Sequence, residues 1–250
     1  MDSYKKTMQI IESVHNPKVK EWTKLQQKKY RQQNQQFLVE GEHLVEEAMK
    51  TNCAQIIITT REVFETDLPV YQVTPAILEK LSATPSPQDV MAICQMVTVE
   101  PSRVNRILLL DAIQDPGNLG TLIRSAVAFN VEAIVLGKGT VDLYNEKVLR
   151  STQGAVFHVP VMQADLASYI PELQKQGVEV IGTSLQQAVE LQSFEIPKRW
   201  ALLLGNEGQG VYQQLLDLTD ENVFIEMMEQ AESLNVAIAG SIVMYTLMNR

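Results

Sequence analysis

Residues 105–250 alternate short, wholly apolar runs with longer amphipathic ones. "RILLLDA", "AIVLG", "HVPVM", "EVIGTS", "WALLLG" and "NVFIEM" predict strands. Between them, "LGTLIRSAVAFN", "YNEKVLRSTQGA", "LASYIPELQKQG", "VYQQLLDL" and "SLNVAIAGSIVMYTLMN" predict helices. Strands of Leu, Ile and Val without polar alternation bury both faces, which predicts a parallel sheet covered by helices on each side. The earlier part is smaller in scale. "FLVEGEHLVEEAMKTNCAQIIIT" predicts a strand, a turn at Gly41, a helix over about 42–50 and a strand over 55–59. "VYQVT" adds a strand, "PAILEKLSA" a helix opened by Pro75, and "VMAICQM" a strand after the loop "TPSPQD". The apolar pattern lapses at "VEPSRVN", where Pro101 and Ser102 mark a linker. The expected organisation is a small α/β domain over 1–100 and a larger α/β domain over 105–250.

Composition narrows the class. At 250 residues and 45% hydrophobic, the chain can build real cores. No apolar stretch reaches the roughly 18 residues a membrane helix needs, and "MDSYKKTMQI" lacks the apolar region of a signal peptide. Cys53 and Cys94 lie in apolar surroundings that suit two buried thiols in a reducing cytoplasm. His15, His43 and His158 lack the spacing that aims imidazoles at one ion, so no protein-bound metal is expected. A formal charge of −9 argues at first sight against a nucleic-acid partner, but its distribution softens that objection. Residues 1–36 carry eight Lys or Arg against three Asp or Glu. "NPKVKEWTKLQQKKYRQQNQQ" interleaves these cations with Gln, Asn, Trp22 and Tyr30, groups that bond phosphates and stack on bases. The same stretch reads as an amphipathic helix with Val19, Trp22 and Leu25 turned inward; one helix can do both.

Ligands of open α/β sheets bind beyond the carboxyl ends of strands, and three such loops carry unusual residues. In "DAIQDPGNLGTLIRSA", Asp115 and Pro116 set a turn and Gly117 and Gly120 permit close backbone approach. An ordinary strand-to-helix turn explains those four; Asn118 and Arg124 add an amide and a guanidinium suited to an anionic or ribose-bearing ligand. "LLLGNEGQGV" runs from a buried strand into a turn with Gly205, Gly208 and Gly210. Lacking Lys and the GxGxxG order, it is neither a triphosphate nor a dinucleotide loop, and Glu207 is its one charge. In "EQAESLNVAIAGS", Ser233 is placed to cap the last helix and Asn235 puts an amide in its first turn. Capping and packing account for Ser233 and the alanines, but not for Asn235 between Leu234 and Val236.

Taken in order, "DPGNLGTLIRSA", "LLLGNEGQGV" and "IEMMEQAESLNVAIAGSIVMY" resemble the three motifs of the SpoU/TrmH family of RNA ribose 2′-O-methyltransferases. Residues 10–96, with "NPKVK" and "FLVEGEHLVEEA", are similar to the substrate-binding domain of ribosomal-protein L30e type that often precedes the catalytic domain there. The resemblance implies a SPOUT fold with a C-terminal trefoil knot, an S-adenosyl-L-methionine cofactor, a homodimer built partly from the last helix, and an RNA substrate. The separate first domain favours ribosomal RNA over transfer RNA. By motif position, Asn118, Arg124, Glu207, Ser233 and Asn235 correspond to the catalytic set. Thr183, Gly205, Ile225 and Leu234 correspond to cofactor contacts. Asn130 stands where the family usually has Gly, and Asn tolerates the positive φ such a turn requires.

Methyl transfer to a 2′-hydroxyl needs in-line placement, a sink for the proton and a dry pocket. A guanidinium does not deprotonate in proteins, so Arg124 is expected to clamp phosphate, while Asn118 and Asn235 orient ribose. The proton would leave late, to water or toward Glu207. Two rivals are a catalytically idle RNA-binding or ribosome-assembly protein on the same architecture and a SPOUT enzyme acting on a base.

Overall fold

In the computed structural model, residues 8–97, 104–228, 230 and 233–248 are described. The linker expected at Pro101 and Ser102 lies outside them. The elements run, in chain order, β1 (Gln9–Ile11), α1 (Pro17–Lys24), α2 (Lys28–Asn34), β2 (Gln36–Glu40), α3 (Glu42–Lys50), β3 (Ala54–Thr59), β4 (Val70–Val73), α4 (Pro75–Leu81) and β5 (Val90–Gln95). They continue through β6 (Arg106–Leu110), α5 (Pro116–Ala128), β7 (Ala133–Leu136), α6 (Glu146–Thr152), β8 (Val161–Gln163), α7 (Leu166–Lys175) and β9 (Glu179–Thr183). The chain closes with β10 (Val189–Glu190), β11 (Trp200–Leu204), α8 (Gln213–Leu216), β12 (Glu221–Phe224) and α9 (Val236–Met248). Two compact units result, one of residues up to Val97 with Asp142–Phe157, the other of the remainder.

The first unit is a five-stranded mixed sheet in the order β1-β4-β3-β5-β2. Alternation along β5 sends Met91 and Ile93 to one face and Val90, Ala92 and Cys94 to the other. On the first face α1 and α4 deliver Val19, Trp22, Leu25, Ile77, Leu78 and Leu81, and Trp22 meets Tyr71 edge-on at 5.1 Å. The inward face of the basic segment is thus the one its spacing predicts. The segment is nevertheless two helices: α1, capped by Asn16, ends at Lys24, and α2 ends in a left-handed Gln35 at φ +53°. On the opposite face α3 packs Leu44, Val45 and Ala48. Gly41 precedes α3 at φ +97°, a conformation that favours glycine. Cys53 and Cys94 are both buried, as expected.

Asp142–Phe157 packs here too, although the periodicity groups it with the second half. Leu149 joins the Phe37 cluster, the Tyr144 ring lies 4.5 Å from that of Phe37, and Asp142 pairs with Arg31. A helical period announces a helix, but not which core receives its apolar face.

The second unit is a seven-stranded sheet in the order β10-β12-β9-β11-β6-β7-β8. Every pairing in it is parallel, as the uninterrupted apolar runs predict. Ile107–Leu110 and Trp200–Leu204 are fully buried and paired in register, Leu110 opposite Leu204. One face takes α7 and α8 through Leu166, Ile170, Leu173 and Leu215. The other takes α5 and α9. A methyl on Gly240 would stand 2.4 Å from Leu204 Cδ1 and 2.8 Å from Leu122 Cδ2, so glycine is what lets α9 lie this close. Ser125 and Ser241 hydroxyls join the two helices at 2.6 Å. Asn130 turns after α5 at φ +54°, the conformation its place demands.

Candidate active site

Three loops at the carboxyl ends of β6, β11 and β12 are laced to one another. The first begins with Asp111, whose N–H donates to Leu204 O at 2.8 Å. Its buried carboxylate accepts from Tyr212 N at 3.0 Å. Burial raises the Asp111 pKa, and the Tyr212 hydrogen bond only partly opposes this. Ala112 follows in the left-handed region at φ +53°. Asp115 then caps α5, accepting from Asn118 N at 2.8 Å, with Pro116 in the first turn. That cap is why α5 starts where its sequence says.

In the second loop Asn206 and Gly210 exchange both backbone hydrogen bonds at 2.9 Å, closing a tight hairpin. Gly205 is required at its base, because a Cβ there would stand 2.1 Å from Val211 N and 2.2 Å from the Gly210 carbonyl carbon. Asn206 Oδ1 accepts from Gly208 N at 2.9 Å, and its Nδ2 donates to Ala112 O at 2.9 Å. No atom lies within 4 Å of where a Gly210 Cβ would be, so main chain faces open space there.

Glu207 binds the loops together. Its Oε1 accepts from Asp115 N and from Asn118 Nδ2, both at 3.1 Å, and its Oε2 from Gln114 N at 3.3 Å. Partial burial works to raise its pKa. The Asn118 amide and the backbone N–H groups of Glu207, Asp115 and Gln114 together outweigh that and hold the carboxyl below its ordinary value. The third loop arrives through Asn235, whose Nδ2 donates to Asn118 Oδ1 at 2.9 Å. Asn235, and not Ser233, caps α9: its Oδ1 accepts from Ala237 N at 2.9 Å and Ile238 N at 3.3 Å. The helix starts at Val236, so Ser233 is three residues before its first turn and too early to cap it.

Of the nine residues singled out in the sequence, Asn118, Glu207 and Asn235 thus form one hydrogen-bonded chain. Arg124 does not join it. Six residues beyond Asn118 on α5, it is rotated by about 120° around the helix, and it is exposed with no hydrogen-bond or ion-pair partner among the described residues. Thr183 closes β9 and donates to Leu203 O at 3.2 Å. Ile225 follows β12 half-buried, and Leu234, 37% exposed, stands just before α9. Sequence reasoning missed Asp111 and Asn206. The signal for Asp111 was a charge at the end of an apolar strand; for Asn206, the polar residue beginning a glycine-rich turn.

A wholly parallel sheet with its polar side chains gathered on loops at the strand carboxyl ends defines an α/β protein of the ligand-binding, chemistry-bearing kind. Residues 105–245 match the profile of the SpoU rRNA methylase family, and residues 16–92 that of the MRM3-like substrate binding domain. The chain belongs to the SpoU rRNA methylase family. It is 44% identical over 246 residues to the 23S rRNA (guanosine(2553)-2′-O)-methyltransferase RlmP of Bacillus subtilis, covering 96% of this chain and 99% of that one. It is 35% identical to an uncharacterized tRNA/rRNA methyltransferase, slr1673, of Synechocystis, over 94% of this chain and 92% of the other. Among solved structures, the AdoMet-bound rRNA methyltransferase from Sinorhizobium meliloti superposes with a TM-score of 0.86 at 28% identity, covering 96% and 97% of the two chains.

Proposed function

We propose that this protein transfers a methyl group from S-adenosylmethionine to a ribose 2′-hydroxyl of large-subunit ribosomal RNA. The chain from Glu207 through Asn118 to Asn235, tying three loops at the strand ends, carries the reading. The donor set suits that cofactor: Gly205 and Thr183 at strand ends, apolar Ile225 and Leu234, open main chain at Gly210, and no lysine that would call for phosphate. When bound, S-adenosylmethionine supplies an electrophilic methyl on sulfur.

The residues of this chain do the rest. Asn118 and Asn235, already oriented by hydrogen bonds, hold the ribose. Glu207 acts as a strut: a carboxylate with a depressed pKa and its lone pairs occupied is a poor base. Arg124, exposed and unpaired among the described residues, is free to take an RNA phosphate in a bidentate grip. The hydroxyl proton leaves to water as the carbon–oxygen bond forms.

Residues 1–100 serve as the RNA-binding domain and 105–250 as the catalytic one, with Asp142–Phe157 packed into the first unit. A trefoil knot in the second unit agrees with β11 lying between β9 and β6 and with α9 pressed on Leu204. A homodimer is supported by Ile238, Ile242 and Tyr245, which form an exposed stripe on α9 opposite its buried face. A ribosomal RNA substrate supports a cytoplasmic location. The deciding experiment is methylation of unmodified total RNA with labelled cofactor, followed by nucleoside analysis and mapping. Label in a 2′-O-methylnucleoside of 23S rRNA is expected. Label in a base, or none despite a thermal shift with S-adenosylmethionine, would overturn the ribose assignment; no shift at all would favour the idle RNA binder.

A further inference from the structure

The first unit holds a cleft of about 790 Å³ that no part of the methyl-transfer reading uses. Its size lies within the roughly 300–1,000 Å³ of small-molecule sites. The turn between α1 and α2, strand β2, the loop 82–88 and helix α6 enclose it. Of its apolar lining, Leu25, Leu81 and Met91 are buried, and the half-buried Tyr144 ring on the α6 side supplies surface of the kind an unstacked base covers.

The charges in its lining are unequally committed. Glu40 is satisfied by Ser82 Oγ at 2.8 Å, Thr84 Oγ1 at 3.2 Å and Gln88 N at 2.9 Å. Glu42 is paired with Arg61. Glu146 is exposed in the first turn of α6, one turn before Arg150, which has no partner among the described residues. Arg31 is 7% exposed: its Nη atoms reach Leu25 O, Gln26 O and Asp142, while its Nε is buried with no partner among the described residues. An unpaired buried donor is costly, and a ligand acceptor would satisfy it. On α1 and α2, the helices either side of Leu25 and Gln26, Lys18, Lys20, Lys24, Lys28 and Lys29 are all exposed, and Lys24 and Lys29 lie over the Tyr30 ring at 5.5 and 5.8 Å.

We propose that this cleft seats one unpaired nucleotide of the RNA substrate, the base against the Tyr144 ring and polar acceptors toward Arg31 and Arg150, while the α1–α2 lysines follow the adjoining backbone. The assignment rests on the reading of the protein as an RNA methyltransferase and adds a second point of recognition to it.

The test uses the full chain with an unmodified 23S rRNA transcript carrying 4-thiouridine. Photocrosslinks are expected in the peptide containing Tyr144. Ala83→Trp, on the exposed lip, fills the cleft and Arg150→Glu reverses its free charge; each is expected to weaken RNA binding about tenfold or more, the loss of one stacked base being worth roughly 1–3 kcal/mol. Arg150→Lys should restore most of it, and the thermal shift with S-adenosylmethionine should be unchanged in all three. Wild-type methylation together with variants that bind RNA within twofold of wild type, or crosslinks confined to the lysine helices, overturns the cleft alone. Failure of the wild type to bind RNA overturns the methyltransferase reading with it.

Discussion

Glu207→Gln separates a strut from a base. The substitution keeps shape and one acceptor, so the hydrogen bonds from Asp115 N and Asn118 Nδ2 to Oε1 persist, weakened from charge-assisted to neutral. At the other terminus an NH₂ replaces Oε2 and faces the Gln114 N–H and Asn206 Nδ2, donors against a donor. Hydrogen bonds to charged groups contribute about 1.5–3 kcal/mol and neutral ones about 0.5–1.5. Two weakened bonds and two long ones lost, discounted because Glu207 is exposed, leave a loosening of about 1–2 kcal/mol confined to the loops. The expected outcome is an S-adenosylmethionine affinity lowered about tenfold, since 1.4 kcal/mol is one decade. The single-turnover methylation rate at saturating cofactor and RNA should stay within about tenfold of wild type. The pH dependence has a definite sign: the folded-state pKa is depressed, so the bridge contributes above the unfolded carboxylate value, about 4.3, and is lost as pH falls through the lower folded value. The variant should lack that acid-side loss. Calorimetric titration and quench-flow measure the two quantities. A saturated rate down by about 10²–10⁴-fold with cofactor affinity unchanged is what loss of a general base produces, and it would refute the strut.

Four further substitutions probe other parts of the argument. Arg124→Lys keeps charge but not the fork; steady-state kinetics should show most turnover lost with cofactor affinity intact, and near-wild-type methylation would remove the phosphate clamp. Gly205→Ala puts a methyl 2.1 Å from main chain, so calorimetric titration should find S-adenosylmethionine binding abolished, and measurable binding at wild-type affinity would show that the hairpin yields. Asp111→Asn keeps the bond from Tyr212 N while removing a carboxylate whose pKa burial raises. Charge there costs stability as pH rises from the unfolded value toward the folded one, so the melting temperature of the variant relative to wild type should be higher at pH 7 than at about pH 4; the opposite trend would contradict the burial argument. For the proposed homodimer, light scattering should find the wild type dimeric and Ile242→Glu, on the exposed stripe of α9, monomeric; a variant that stays dimeric would exclude that face.

Much of the architecture was legible because single features dictate it. Leu108, Leu109 and Leu110 next to Leu202, Leu203 and Leu204 can only be buried parallel strands, and Asp115 with Pro116 fixes the start of α5 from local chemistry alone. What was not legible depends on partners. Strands β1 and β10, three and two residues long, exist through their pairing with β4 and β12. Segment 142–157 has a helical period whichever core it fills, and only the Phe37 contact and the Arg31–Asp142 pair decide the matter.

The site divides along the same line. Ser233 and Asn235 are both good capping residues, and local rules favour neither strongly. The helix starts at Val236 because Asn235 can cap it with Oδ1 and still give Nδ2 to Asn118, 117 residues earlier in the chain. Serine has one hydroxyl and cannot serve both partners with the same reach. Glu207 repeats the pattern: a charge in a glycine turn has no assigned role until Gln114, Asp115 and Asn118 approach it from the end of β6. Asn235 and Glu207 look ambiguous in the sequence because each has a further hydrogen bond that crosses between loops. It follows that double substitutions at Asn118 and Asn235, or at Asn118 and Glu207, should be less than additive in their effect on cofactor binding, since removing either member already breaks the shared bond.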